Sequence, residues 1–427
     1  MTMPGAVARL RSPSWALRRA ATDPVLATEV SIRRRLGWIW GLMFVNVLPY
    51  SAVSPVLHMP TSMGKVVTQG ALALAVLLAL SINPKVLLRP NLFLLLMSVL
   101  CVTSMMMSVR GYFGLGSTLR AGRLVAVVVV LWLLTPWWGR RDLLLFRFHM
   151  RAIYVVLAVV LLGVMVAPGP AFDQAGGGRL GGAIWPIPPT QVAEYAAVLT
   201  GLTVVLWFTG LMRARTAGFV ALAGTTMLLL THTRTALVGL LVAVLVAALS
   251  LLVGRKRVRT TLGVTVLICG LIALSAAPFL SNWFTRGESP QELASFTGRS
   301  TVWSALAAQP RSELHTVLGY GMSNDSFGGR AIDSSWYSAY LDQGLVGDVI
   351  DGGILLALLV TALLRPRGPR RAIALFLVTY CCCASFTETG LGQASPYLLD
   401  LAIAASVLLP PVVTDPALPA LPGRRVR

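Results

Sequence analysis

Residues 235–253 read TALVGLLVAVLVAALSLLV, nineteen residues without a charged side chain. A membrane hydrocarbon core about 30 Å thick needs roughly 20 apolar residues for each helical crossing, so this stretch is long enough to span it. The apolar residues are continuous rather than alternating, which excludes a strand of a membrane β-barrel. The stretch therefore predicts a transmembrane helix.

Comparable apolar runs recur along the whole chain. The 427 residues are 56% hydrophobic and only 12% charged, with a mean hydropathy of +0.75, which leaves too little polar surface for a water-soluble protein of this length. We therefore predict an all-α, polytopic membrane helix bundle. About twelve transmembrane helices are expected, near residues 37–57, 66–82, 91–109, 121–138, 152–168, 191–212, 216–232, 235–253, 260–280, 344–364, 372–388 and 396–413.

The distribution of basic residues predicts the orientation of these helices. The spans form one transmembrane domain, residues 37–413, between a basic tail, residues 1–36, and a short tail, residues 414–427. If the N-terminus is cytoplasmic, 26 of the 36 Lys and Arg residues fall on the cytoplasmic side, as expected for short membrane loops. This predicts that both termini are cytoplasmic. It also explains the net charge of +20 without a nucleic-acid partner, and the basic tail is expected to face anionic membrane lipids.

The polar segments that interrupt the spans carry the candidate functional residues. The largest, residues 281–343, lies between the ninth and tenth spans and is extracytoplasmic by the parity of the crossings. A smaller segment, residues 169–190, lies on the same side, as does the hairpin THTRT of residues 231–235. Glycines in the smaller segment open no strand-to-helix unit, which excludes a nucleotide-binding loop. The scattered His and Cys residues show no metal-ligand spacing.

Two arginines in these segments are suited to bind phosphate. Arg234 is held at the membrane interface, where an unpaired guanidinium costs several kcal/mol and its donors match phosphate oxygens. Alternatively, Arg234 only reaches to water from the hairpin. Arg299 lies in the predicted first turn of a helix, with Trp303 one turn later as an interfacial aromatic. Together the arginines can neutralise a pyrophosphate.

These motifs resemble the O-antigen ligase and O-antigen polymerase superfamily of bacterial membrane glycosyltransferases. The resemblance rests on the hairpin arginine in TRTA, on RLGG followed by prolines, and on TGRSTVW, LGYG and a polar-aromatic stretch that ends in GLVG. In order, these are residues 233–236, 179–182, 297–303, 318–321 and 333–347. Each motif alone is short, whereas their order on one face is distinctive.

The resemblance implies the fold, the chemistry and the site. It implies a helix bundle similar to polyprenyl-sugar glycosyltransferases in the bacterial cytoplasmic membrane, with the active site outside. The donor would be a polyprenyl-diphosphate-linked glycan and the acceptor a glycan or envelope molecule, with no cofactor and no metal. Arg234 and Arg299 would hold the diphosphate, with Arg179 as a third cation. The substrate-binding candidates also include Trp303, Tyr337 and Asp348.

Asp333 marks a departure from the ligase pattern. Ligases of the superfamily show a His-Asn pair where this chain has Asp333 and Ser334. Asp333 is therefore either a general base for the acceptor hydroxyl or a cap of the helix that begins near Ser334. Asp348 and Asp351, spaced i and i+3, share a helix face and could contact Arg234 or Arg299.

Three functions are compatible with this pattern. The absence of the ligase His favours a polymerase that joins lipid-linked repeat units into a surface or exopolysaccharide. The first alternative is a ligase that transfers a lipid-linked glycan to an envelope acceptor. The second is a flippase for lipid-linked oligosaccharides, which would be expected to carry ionisable residues within the membrane, whereas the charges here are predicted to collect at one face.

We predict that a reporter active only outside the cytoplasm will work when fused within residues 285–330. The same reporter should be inactive after Arg259 or Arg371, because these positions belong to the basic loops. Reporter activity at each fusion point, at matched expression, tests the topology. Cytoplasmic activity of a complementary reporter at residue 310 would contradict it.

Overall fold

The computed structural model describes residues 24–49, 56, 61–111, 113–140, 142–173, 178–252, 258–260 and 298–410. These residues are 75% helical and contain almost no strand, which agrees with the predicted all-α fold. The α-helices are α1 (Pro24–Val47), α2 (Thr61–Ile82), α3 (Leu92–Val109), α4 (Leu115–Leu134), α5 (Leu144–Val166), α6 (Pro168–Asp173), α7 (Pro189–Phe208), α8 (Ala214–Leu230), α9 (Arg234–Leu251), α10 (Arg299–Ala308), α11 (Glu313–Leu318), α12 (Ser335–Asp342), α13 (Gly344–Leu364), α14 (Pro369–Ala384) and α15 (Pro396–Leu408); a 3-10 turn, Thr135–Trp137, follows α4.

Seven helices of the described chain are long and apolar enough to cross a membrane, namely α2, α3, α4, α5, α7, α9 and α13. Helices α8 and α15 are apolar but shorter. The structure therefore has the architecture of a multi-pass membrane protein, and twelve crossings remain a prediction. The predicted ninth span, residues 260–280, lies outside the described residues except at its first position. Part of the predicted basic tail is helical. Helix α1 begins at Pro24 and includes the last three arginines of the tail.

The centre of the bundle is formed by helices whose residues are mostly buried. Helix α7 packs against α5, α8, α9 and α14, and most of its surface is buried. Every residue of α15 is buried. Most residues of α14 are buried as well, so α7, α14 and α15 form much of the core. Their apolar sequences thus position the loops that join them.

At one end of the bundle, hydrogen bonds bring the basic loops together. Arg89 donates to the carbonyl of Trp138 (2.9 Å), and Arg370 donates to that of Gly139 (3.0 Å). Arg140 pairs with Glu29 at 2.9 Å. These residues belong to four segments of the chain, and all four segments are predicted to face the cytoplasm. We call this the basic end.

The opposite end, which we call the site end, carries the polar segments. Residues 298–343 are not an unstructured loop: they form α10, α11, a two-stranded hairpin and α12. In the hairpin, β1 (Ser326–Phe327) pairs antiparallel with β2 (Arg330–Ala331). The first half of the predicted outer loop, residues 281–297, lies outside the described residues.

The LGYG motif locks this segment onto the bundle. Tyr320 and Gly321 donate backbone hydrogen bonds, each 2.9 Å long, to the carbonyls of Leu341 and Asp342. Gly319 has a φ of 72°, and a Cβ there would lie 2.3 Å from the backbone of Asp342. Any side chain would therefore collide with the main chain. The motif has a structural role, which is to seat the end of α12.

We predict that Gly201→Ala destabilises the bundle. A Cβ at Gly201 in α7 would lie 2.0 Å from the ring of Phe376 in α14, so the two central helices must separate or Phe376 must leave its position. Overpacking of this kind costs about 1–3 kcal/mol. Thermal unfolding in detergent measures the effect. Gly218→Ala is the control, because a Cβ at Gly218 meets nothing within 4 Å; equal stability of both variants would contradict the packing described for α7.

Candidate functional site

Arg179 is fixed against the hairpin between α8 and α9. Its Nε donates to the carbonyl of Thr231 (2.9 Å), and its Nη2 donates to the hydroxyl of Thr233 (3.2 Å). The backbone of Leu180 also donates to the carbonyl of Leu230 (2.9 Å). These side-chain bonds use two of the five N–H groups of the guanidinium. Arg179 and the hairpin therefore form one unit at the site end.

The hairpin itself presents Arg234. Helix α8 ends at Leu230 and α9 begins at Arg234, close to the predicted spans 216–232 and 235–253. His232 has a φ of 51°, a left-handed conformation that lets three residues reverse the chain direction. Arg234 is half-buried at the first position of its helix. It lies where the hairpin meets Arg179.

Arg299 and Asp333 form an ion pair across the folded segment. Helix α10 begins at Arg299, as predicted, and Arg299 Nε lies 3.1 Å from Asp333 Oδ2. Ser334, not Asp333, occupies the cap position of α12 and makes no side-chain cap bond. The cap interpretation of Asp333 is therefore wrong. Asp333 has a φ of 45°, and its side chain contacts Arg299 instead.

The loop between α14 and α15 adds Glu388 to the site. The Thr387 hydroxyl donates to the Thr235 hydroxyl (2.8 Å), next to Arg234. The Ser335 hydroxyl donates to the carbonyl of Glu388 (2.8 Å), two residues after Asp333. These two bonds fasten residues 387–388 to the hairpin and to the start of α12. Glu388 is half-buried between the two arginine-bearing segments.

The charges of these residues act on one another. Burial lowers the pKa of Arg179, and the charges of Arg299 and Arg234 lower it further, against the opposing effect of Glu388. Burial raises the pKa of Glu388 to about 7; Asp333 adds to this rise, whereas Arg299 and Arg179 oppose it. We call these five residues the arginine cluster. It holds three cations and two carboxylates, of which Glu388 is partly protonated near neutral pH.

The aromatic candidates lie next to the cluster and contact each other. The rings of Trp303 and Tyr337 are stacked, with centroids 5.2 Å apart and an angle of 9°. Trp303 Nε1 donates to the carbonyl of Ile332 (2.7 Å), directly before Asp333. Part of each aromatic face is used to hold α10 against α12. Their assignment to substrate binding stays a prediction.

Asp348 and Asp351 are not placed with the arginines. Neither forms an ion pair with a described residue, and the charge of Asp348 acts on Asp351 within α13. A Cβ at Gly392 would lie 3.1 Å from Asp351 Oδ2, so Asp351 faces the α14–α15 loop. The expected contact with Arg234 or Arg299 is wrong, because the face shared by the two carboxylates points elsewhere. A substrate role for Asp348 stays a prediction.

A second polar cluster joins α12 to the same loop. Asp325 accepts hydrogen bonds from Ser338 (2.7 Å) and from Gln393 (2.6 Å). Burial raises the pKa of Asp325, and it raises that of the neighbouring Asp342 to about 8. This cluster fixes the loop that carries Glu388.

Ionisable residues also lie inside the bundle, contrary to the expectation that charges gather at one face. His149 Nε2 in α5 lies 2.8 Å from Asp400 Oδ1 in α15, and both side chains are buried. Glu194 in α7 is buried and lies within electrostatic range of Asp400 and Glu388. The three residues are far apart in the chain, so the sequence does not indicate that they meet. Buried groups of this kind are costly unless paired.

The described residues contain no group of three His, Cys, Asp or Glu side chains arranged to hold a metal ion. The sequence matches no protein-family model, and no curated protein matches it at a significant level. The site must therefore be interpreted from its own geometry. Of the residues singled out in the sequence, Arg179, Arg234, Arg299 and Asp333 come together. Glu388 was not assigned a role, because a single acid in a short loop shows no spacing pattern.

Proposed function

We propose that the chain is a membrane glycosyltransferase of the polymerase type, which joins polyprenyl-diphosphate-linked repeat units at the outer face of the bacterial cytoplasmic membrane. The observation that supports this is the convergence of Arg179, Arg234 and Arg299 at one end of the bundle. Guanidinium groups present forks of N–H donors that match phosphate oxygens. A diphosphate is therefore the kind of anion that this convergence suits.

Such a cluster suits the transfer of a sugar from a lipid diphosphate. The acceptor hydroxyl oxygen forms a bond to the anomeric carbon as the bond from that carbon to the phosphate oxygen breaks. Negative charge grows on the departing diphosphate, and fixed cations in a site of low dielectric constant stabilise it strongly. A carboxylate beside the arginines takes the proton of the hydroxyl. The reaction needs no nucleotide and no cofactor.

The polymerase is proposed over the ligase because Asp333 stands where ligases have His. Deletion of the gene distinguishes the two, with lipid-linked glycans analysed by mass spectrometry. Single lipid-linked repeat units should accumulate if the chain is a polymerase. Long lipid-linked chains that fail to reach an envelope acceptor would instead indicate the ligase.

A flippase is a second candidate, which the buried pair His149–Asp400 favours. Transporters carry ionisable groups within the membrane, and this pair lies inside the helices. A flippase mutant would also accumulate single repeat units, but these would remain on the cytoplasmic side. Accessibility of the accumulated lipid to an impermeant glycosidase added outside the membrane separates the two candidates. Accessible single units support the polymerase.

We predict that Arg234→Ala and Arg299→Ala each reduce glycan extension by about a hundredfold or more, because each removes a charge-assisted contact to the leaving diphosphate. Lys at either position should restore activity only in part, since an ammonium cannot reproduce the guanidinium fork. Polymer length on a gel, at matched membrane abundance, measures the effect.

Arg330→Ala is the matched control, because Arg330 is exposed in β2 of the same segment. It should extend glycan like the parent protein. Binding of inorganic pyrophosphate to the purified protein in lipid nanodiscs gives an independent measure of the anion site. Normal extension and unchanged pyrophosphate affinity in both alanine variants would exclude a diphosphate site at this cluster.

A further inference from the structure

We propose that Glu388 is the residue that takes the proton from the acceptor hydroxyl, and that Asp333 is a positioning residue for Arg299. This assignment rests on the proposed function. It divides two roles between the two carboxylates of the arginine cluster. Both carboxylates belong to loops at the site end, yet their surroundings differ.

The position of Glu388 is fixed from two sides. Thr387 is bonded to Thr235 beside the arginine hairpin, and the carbonyl of Glu388 is bonded to Ser335 at the start of α12. The backbone N–H of Glu388 also donates to Ala384 (2.9 Å), which extends the last turn of α14. The backbone that carries the carboxylate is therefore held rigidly. A proton acceptor must be held within hydrogen-bond reach of its substrate, and this anchoring provides that.

Asp333 is less suited to accept a proton. Its carboxylate oxygen Oδ2 already accepts a hydrogen bond from Arg299 Nε at 3.1 Å. This bond occupies one of the two oxygens of the carboxylate. The same bond orients the Arg299 fork. Loss of Asp333 would therefore disturb the arginine, whereas loss of Glu388 would remove the proton acceptor.

Burial explains why Glu388 can act as a base near neutral pH. It raises the pKa of Glu388 to about 7, and a general base is most effective when its pKa lies near the working pH. Glu388 is only partly buried, so it can return the proton to water after transfer. The proton leaves the acceptor oxygen as that oxygen binds the anomeric carbon, and the electron pair of the broken bond leaves with the diphosphate.

Several groups surround Glu388 and set its titration. Arg299 and Arg179 lower its pKa, and Asp333 raises it. The charge of Glu388 also acts on side chains of the central helices α7, α14 and α15. Within the described part of the chain, the titratable or charged groups that interact electrostatically with Glu388 are Arg179, Arg299, Asp333, Glu194, Tyr380 and Tyr397.

The first experiment compares Glu388→Gln with the parent protein in nanodiscs. The probe is the pool of single lipid-linked repeat units extracted from the deletion strain. The parent rate should rise with pH and level off above about pH 7, since Glu388 must be deprotonated. Glu388→Gln should lose about a hundredfold or more in rate, as expected for loss of a general base, and should lose this pH dependence. It should still bind inorganic pyrophosphate, because the arginines remain.

Two variants complete the comparison. Glu313→Gln is the control: Glu313 is exposed in α11, and its variant should behave like the parent. Asp333→Asn should keep a pH inflection, moved to lower pH, because the charge of Asp333 raises the pKa of Glu388. It should also lower the maximal rate at every pH, since Arg299 is no longer oriented.

The outcomes separate this assignment from the proposed function. A Glu388→Gln variant with the parent's rate and pH profile would overturn the assignment, while loss of activity in the arginine variants would leave the glycosyltransferase proposal standing. If Glu388→Gln fails to bind pyrophosphate, its fold is affected. The pH profile of Asp333→Asn then shows which of the two carboxylates is the base. An inflection that disappears in Asp333→Asn would show that Asp333 is the base. An inflection that moves to lower pH supports Glu388.

Discussion

Three guanidinium groups kept together beside a low-dielectric bundle are the constraint on which the site depends. Like charges repel more strongly as the surrounding dielectric constant falls, so Arg179, Arg234 and Arg299 need opposite charges to stay close. Asp333 pairs with Arg299, and Glu388 acts on both Arg179 and Arg299. An anion bound beside the guanidinium groups would reduce their mutual repulsion further.

The central helices make this arrangement possible. Arg179, Arg234, Asp333 and Glu388 come from four separate segments of the chain, and each segment is fixed by packing in the bundle below it. Helix α9 packs against α14, which places the Arg234 hairpin beside the loop that begins after Ala384. The Thr235–Thr387 bond completes this contact. A site built from loops gains its precision from the rigid helices that end there.

The sequence predicted the parts of the fold that depend on local composition. The apolar runs located α8 and α9 to within a few residues, and the Gly-Arg step located the start of α10. The arginines of the site were found because charged residues between apolar runs are conspicuous. Glu388 could not be assigned, because its neighbours in space come from the hairpin and from α12, which lie far away in the sequence. The His149–Asp400 pair escaped prediction for the same reason.

The two carboxylates of the site show how position alone can assign different chemistry to similar groups. Pairs of acids whose surroundings separate their proton affinities commonly divide into a base and a charged partner. Asp333 forms an ion pair with Arg299, and its side chain is 39% exposed, so its contact is with the guanidinium at the edge of the site. Glu388 is partly shielded from water, and burial raises its pKa to about 7 although Arg299 and Arg179 oppose the rise. Exchanging the two residues in sequence would therefore not exchange their roles, because the roles belong to the positions.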